Sequence, residues 1–154
     1  MKSWICRSAI RLFPLLIVCL LVGPARLAGP AFAETSSGVR MVLTTESTVT
    51  GETIWYPSGA PAQITAMEIT LQPGQQTGWH THPVPLFGYI LEGELTVDYG
   101  AKGQRVYLKG DGLAEAMNEA HNGRNSGESP VKILAVFIGV KGVQDTAPAP
   151  PPQR

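Results

Sequence analysis

The sequence predicts an all-β domain, a closed barrel or a sandwich, on three observations. Past residue 33 no stretch repeats its apolar residues at helical spacing. Roughly nine short runs rich in Val, Ile, Thr and aromatic side chains occur instead, each of a length suited to a strand. Turn-forming Gly, Pro, Asn and Asp separate these runs every ~8 to 12 residues, the rhythm of antiparallel β architectures.

The N-terminus reads as a processing signal. Lys2, Arg7 and Arg11 precede the apolar stretch Leu12–Val22, and Ala31-Phe32-Ala33 places small residues where a signal peptidase reads. This predicts a signal peptide over residues 1–33, cleavage before Glu34, and a periplasmic or secreted protein. The apolar stretch of 11 residues is well short of the roughly 20 that a transmembrane helix needs, so no membrane span is expected after cleavage. Cys19 after Leu16-Ile17-Val18 offers a lipoprotein reading. Its place inside the apolar core, and Val18 where a small residue is expected, speak against it.

Cleavage changes the bulk properties. Both cysteines, Cys6 and Cys19, leave with the signal, so the exported chain has neither a disulfide nor a thiolate. Lys2, Arg7, Arg11 and Arg26 leave too, and 8 basic side chains then face 12 acidic ones, a net charge of −4. A mildly acidic domain without a basic patch is a poor partner for nucleic acid. The expected domain is 34–145. Thr146-Ala-Pro-Ala-Pro-Pro-Pro-Gln-Arg154 reads as a Pro-rich disordered tail unable to join a core.

Within the domain, Val39–Thr45 and Glu52–Tyr56 are β-branched and aromatic runs separated by Thr50-Gly51, and both are predicted as strands. Pro57-Ser-Gly-Ala-Pro61 is a turn. Ala62–Leu71 is a longer strand with no cleanly polar face, as expected of a barrel wall covered on both sides. Pro73-Gly74 leads into the strand that carries His80 and His82. Leu86–Glu92 and Glu94–Tyr99 form a hairpin about Gly93, Gln104–Lys109 follows as a short strand, and Leu113–Met117 leads towards His121. Asn122–Pro130 reads as a polar loop, and Val131–Val140 as the most hydrophobic and central strand.

His80 and His82 stand two apart, which on a strand projects both rings to one face. His121 lies 39 residues beyond His82, and the chain holds 3 histidines in all. Three imidazoles make a plausible first shell for a transition metal. The alternative is three satisfied side chains without a metal.

These residues carry a family resemblance. Gly74-x5-His80-x-His82, with Gly93 after the next strand, resembles the first motif of the cupins. Gly103, the Gly110-Asp111 turn and His121-x3-Asn125 resemble the second. The similarity covers roughly Ala62 to Val140 and implies a single-domain jelly-roll β-barrel with a metal at its mouth. It implies His80, His82 and His121 as metal ligands, and a homodimer in which Val39–Tyr56 pairs across a partner's sheet edge. The chain departs at Leu86, where metal-binding relatives carry a glutamate, and at Lys109, where a proline is common. Three neutral imidazoles leave a divalent ion at +2, which favours hydroxide or an anionic ligand and suits Fe, Zn, Ni or Cu over Mg²⁺ or Ca²⁺. Glu115 is the candidate for a fourth ligand, against an outward, solvated carboxylate; Glu119 reads as a loop residue.

Four further positions have a reading. Asn125 is expected to fix a turn through its side chain. Trp79 has the parity opposite to His80 and is expected to pack away from the site. Gly88 and Ile90 share the parity of Leu86, so they either form a small apolar pocket wall or mark a bend in a barrel strand. No Ser-His-Asp pattern, phosphate-cradling loop or thiol nucleophile is present past residue 33. Two functions follow: a metal-dependent oxygenase, isomerase or hydrolase on a small anionic molecule, or a non-catalytic small-ligand-binding sensor or carrier.

Overall fold

The computed structural model describes residues 38–153. The expected signal peptide, its cleavage site and both cysteines lie outside the described residues. The strands are β1 (Ala62–Leu71), β2 (His80–Thr81), β3 (Leu86–Glu92), β4 (Glu94–Asp98), β5 (Gln104–Leu108), β6 (Gly112–Ala114), β7 (Asn122–Asn125), β8 (Val131–Val140) and β9 (Ala147–Pro148). One 3₁₀ turn, Gly100–Lys102, is the helical element among the described residues. The all-β expectation holds: every pairing is antiparallel, in a four-stranded sheet β1-β8-β3-β6, a three-stranded sheet β5-β4-β7 and the short pair β2-β9. This is the antiparallel jelly-roll arrangement expected from the sequence.

β8 is interior to its sheet, and its alternation sends Val131, Ile133, Ala135 and Phe137 inward. Leu95, Val97 and Tyr99, from β4 and the residue after it, meet Ile90, Leu113, Val131 and Ile133 from the other sheet in one cluster. Each fully buried aliphatic side chain there contributes about 1.5–3 kcal/mol. A second cluster of Val84, Leu86, Ala135 and Phe137 packs towards the histidines, and Ile69 touches both.

Several expectations fail, each for a physical reason. Val39–Thr45 and Glu52–Tyr56 form no strands; an isolated bridge between Ser47 and Thr53 is all the pairing they make. They have β composition, but the contact that the intervening segment makes with a sheet edge is a single hydrogen bond from the Val49 amide to the Ala114 carbonyl of β6 at 2.8 Å. The segment is held by side chains instead: Arg40 donates to the Tyr89 hydroxyl and to the Gly110 carbonyl, each at 3.0 Å. Glu52 accepts from the amides of Met117 at 2.8 Å and Asn118 at 2.9 Å. β1 is an edge strand exposed over most of its length, so it is not the doubly covered wall expected. Asn122–Pro130, expected as a loop, begins with β7, which pairs with β4. Its polar residues form a strand because alternate positions, Gly123 and Asn125, face inward and the others face water.

The Pro-rich tail is also not apart from the core. Residues 147–148 pair with β2, the Ala149 amide donates to the Trp79 carbonyl at 3.0 Å, and Pro152 sits where a Cβ on Gly100 would stand. Proline lacks an amide donor, yet its carbonyl and ring still serve an edge pairing and an apolar contact.

Candidate metal centre

The register of two strand segments builds the site. His80 and His121 form an isolated antiparallel bridge, each amide donating to the other's carbonyl at 3.0 Å. Residues opposed in this way project to the same face of a sheet. His82 follows two residues after His80 on that face, and its amide donates to the Met117 carbonyl at 2.7 Å. The three rings therefore converge, with centroids 4.8 Å (His80–His82), 4.4 Å (His80–His121) and 5.0 Å (His82–His121) apart. One nitrogen from each lies within 4.8 Å of the others, which positions the three for metal binding.

The other nitrogen of each ring determines the tautomer. Nδ1 of His80 meets the Gly78 carbonyl at 2.7 Å, Nδ1 of His82 the Asp145 carbonyl at 2.9 Å, and Nδ1 of His121 the Glu119 carbonyl at 2.9 Å. A carbonyl oxygen only accepts, so each Nδ1 carries the proton and each Nε2 is left with a bare lone pair. Nε2 of His121 is buried and has no hydrogen-bond partner. A buried acceptor without a partner is costly, and a cation facing that lone pair satisfies it. Burial also lowers all three imidazole pKa values, that of His82 to about 3, so the rings are neutral at neutral pH as metal ligation requires.

A cavity of about 470 Å³ opens over the imidazoles. Leu86, at the position of the missing glutamate, is buried in its wall, so no carboxylate enters from there. Glu115 also lines the cavity, 7% exposed, which corrects the solvated reading. Its Oε1 accepts from the Tyr99 hydroxyl at 2.8 Å and the Ala116 amide at 2.7 Å, and the convergent cluster comprises the three histidines without it. Burial raises the Glu115 pKa, and those two donors only partly offset it. Glu119 points its carboxylate to an exposed ion pair with Lys102 at 2.9 Å.

Asn125 is structural as expected, donating to the Leu71 and Ser129 carbonyls at 2.9 and 2.8 Å and accepting from the Gly127 amide at 3.0 Å. Gly88 lines the cavity, while Ile90 lies in the core cluster away from it. Trp79 lines the cavity too, contrary to its parity. Gly78 has φ +80°, and the two-residue β2 does not extend back to Trp79, so strand alternation does not apply there.

Sequence reading missed the three orienting carbonyls and Thr146, whose Oγ1 lies 3.2 Å from His82 Nδ1. Two of those carbonyls stand two residues before their histidine, a local pattern open to inspection. The third belongs to Asp145, 63 residues from its histidine and last before the Pro-rich tail, so no local pattern points to it.

Among known proteins, the family model of the cupin domain matches residues 67–137. No curated protein shows a significant match. The fold is similar to an oxalate decarboxylase of Lactobacillus farciminis in complex with formate, at 22% identity over 55% of this chain and 26% of that one, TM-score 0.49. It is similar to an uncharacterized conserved protein with a double-stranded beta-helix domain from Klebsiella pneumoniae, at 22% identity over 56% of this chain and 75% of that one, TM-score 0.48. A cupin-superfamily sugar phosphate isomerase from Silicibacter pomeroyi aligns at 24% identity over 49% of this chain and 50% of that one, TM-score 0.44. The chain thus spans about a quarter of the decarboxylase and half of the isomerase. The stretch 67–137, which holds His80, His82 and His121, is thus similar to the cupin domain.

Proposed function

We propose that the protein binds one divalent transition metal ion, Fe, Zn, Ni or Cu, through Nε2 of His80, His82 and His121. The observation that carries the reading is the shared tautomer: three Nδ1–H groups donate to backbone carbonyls, which leaves each Nε2 free as a lone-pair donor, and one nitrogen of each ring lies within 4.8 Å of the other two. Such an ion supplies Lewis-acid or redox chemistry at positions the protein leaves open. The chain's own part is to orient the imidazoles, keep them unprotonated and surround the site with a walled cavity for a small anionic molecule. Within this reading the protein is an exported metal-dependent oxygenase, isomerase or hydrolase, and Glu115 is a buried acid group beside the site.

The second reading is a non-catalytic sensor or carrier of a small ligand, favoured by Leu86 where a carboxylate would complete a fuller ligand set. Export to the periplasm or medium rests on the character of residues 1–33. A homodimer rests on the exposed edge strand β1 and the exposed Trp55, Tyr56 and Ile64.

Elemental analysis of residues 34–154, purified without chelator or added metal beside a His82→Ala/His121→Ala variant, tests the metal reading. About one equivalent of metal that the variant loses supports it, and the metal's identity separates oxygen chemistry from Lewis-acid chemistry. Two folded proteins that both lack metal and take none up overturn it and leave the ligand-binding module.

A further inference from the structure

The walls of the cavity specify its occupant more narrowly than the histidines do. Ile69, Leu86, Leu113, Ile133, Ala135 and Phe137 present hydrocarbon to it. At Gly88 a Cβ would meet Leu113 Cδ2 at 2.9 Å, so the space left by that glycine is itself filled by an aliphatic side chain. None of the described residues that line the cavity is Lys or Arg. Polar atoms gather at the histidine end, where Glu115 lines the cavity, Thr146 Oγ1 lies 3.2 Å from His82 Nδ1, and Thr77 Oγ1 shares the Gly78 carbonyl with His80 Nδ1.

This distribution sets a charge limit on the ligand. Three neutral imidazoles leave a divalent ion with a full +2, which one anionic donor partly offsets. A second anionic group further into the cavity would lose its water and meet no cation, a costly combination. The buried carboxyl of Glu115 is the nearest other ionisable group on the walls, and it would repel an anion or at best donate one proton. Hydrocarbon is favoured everywhere else, in a volume within the usual range for small-molecule sites.

We propose that the cavity takes an amphiphilic monoanion, with a single ionised oxygen donor at the three imidazoles and a hydrocarbon body against the aliphatic walls, in preference to a phosphate ester or a polycarboxylate. This rests on the three-histidine metal reading and narrows its small anionic ligand to one chemical class.

The test loads the metal-stripped full chain with cobalt(II) and titrates straight-chain monocarboxylates from acetate to octanoate, then succinate and inorganic phosphate, reading the visible cobalt spectrum. A His80→Ala/His82→Ala variant reports any cobalt held at Cys6 or Cys19. In parallel, 1-alkanols of the same lengths are titrated calorimetrically into metal-free protein. Carboxylate affinity is expected to rise about threefold per methylene, on the order of a hundredfold from acetate to hexanoate, as burial of hydrocarbon dictates. Succinate and phosphate bind no tighter than acetate, and the alkanols show a parallel slope. Ala135→Leu, which narrows the cavity, flattens the slope while acetate still binds; if that variant does not fold, the wild-type series alone decides. A flat carboxylate series on cobalt-loaded protein, or tighter binding of succinate or phosphate than of hexanoate, overturns the proposal while leaving the metal reading intact. Failure to take up cobalt overturns the metal reading and the head-group half together, and the alkanol slope then upholds or overturns the hydrocarbon half.

Discussion

Removing residues 145–154 should weaken metal binding far more than it weakens the fold. His80 and His121 take their orienting carbonyls from Gly78 and Glu119, two residues upstream. His82 depends on Asp145, 63 residues away, and on Thr146 beside it. A chain ending at Gln144 loses both acceptors, the β2-β9 pairing and the Ala149 to Trp79 hydrogen bond. The His82 ring is then free to rotate or to exchange tautomers with water. Loss of an outer-shell partner of this kind lowers metal affinity about 10- to 100-fold, or roughly 1.4–2.8 kcal/mol. Core residues such as Ile90, Val97 and Val131 lie elsewhere and keep their contacts. Zinc competition against a chromophoric chelator, with thermal unfolding of the metal-free proteins alongside, separates the two effects. Thr146→Val, which keeps the Asp145 carbonyl, should lose only a fraction of the truncation's effect. Equal zinc affinity in full-length and truncated chains would show that water orients His82 as well as Asp145 does, and would refute the reasoning.

Three other outcomes follow from the same structure. Gly93 has φ +77°, and a Cβ there would stand 2.6 Å from the Pro130 carbonyl oxygen and 3.1 Å from Val131 Cα. Gly93→Ala should therefore cost more than the about 1–3 kcal/mol of backbone strain alone, whereas Gly142→Ala, at φ +90° with nothing within 4 Å, should cost only that strain; equal melting temperatures would contradict the steric argument. In the metal-free protein the folded state holds its imidazoles below the ordinary 6.5, His82 at about 3. As pH falls through 6.5 the unfolded chain binds protons that the folded chain does not, so stability falls with falling pH from 6.5 downward. Urea midpoints should drop between pH 7 and 5, and less steeply in His82→Gln; parallel profiles for the two proteins would oppose the assignment. For Glu115 the sign reverses, because burial raises a carboxyl. Above pH 4.5 the unfolded chain releases a proton that the folded chain retains, so wild-type stability falls as pH rises, and the advantage of Glu115→Gln over wild type should grow from pH 4 to pH 8. An advantage that shrinks over that range would mean an ionised, well-solvated Glu115.

The parts of this molecule that could be read from sequence are those governed by alternation and turn chemistry. His80 and His82 share a face although β2 ends at Thr81, and glycine turns delimit β3, β4 and β5; the hairpin expected about Gly93 does not form, because β3 pairs with β6 and β8 in one sheet and β4 with β5 and β7 in the other. Val131–Val140 declared its interior position through an apolar run interrupted only by Lys132 and Gly139. What escaped reading depended on partners distant in sequence. Val39–Tyr56 has the composition of strands but is held by side chains and by one hydrogen bond from Val49 to Ala114 of β6. β7 is polar because one of its faces meets water and the other carries Gly123 and Asn125. Trp79 turns into the cavity because Gly78, at positive φ, breaks the parity that its neighbours obey. The tail was misread because proline content reports a missing donor and says nothing of the carbonyls that the segment offers. Glu115 stands among Leu113, Ala114 and Ala116 in the sequence, yet its anchoring by Tyr99 is visible only when two distant strands meet.

The 63-residue separation between His82 and its orienting carbonyl also gives the protein an order of assembly. Closing a loop of that length costs chain entropy, and the strand pairings among β1, β3, β4, β7 and β8 offset that cost without help from an ion. Until residues 145–146 reach β2, one of the three rings has no defined tautomer, and a metal ion meeting the chain finds at most two fixed nitrogens. A centre built this way gains its third donor only from a nearly finished fold. Under the proposed metal reading, capture of metal would be a late step, with an ion picked up early by loose imidazoles exchangeable until residues 145–146 are in place.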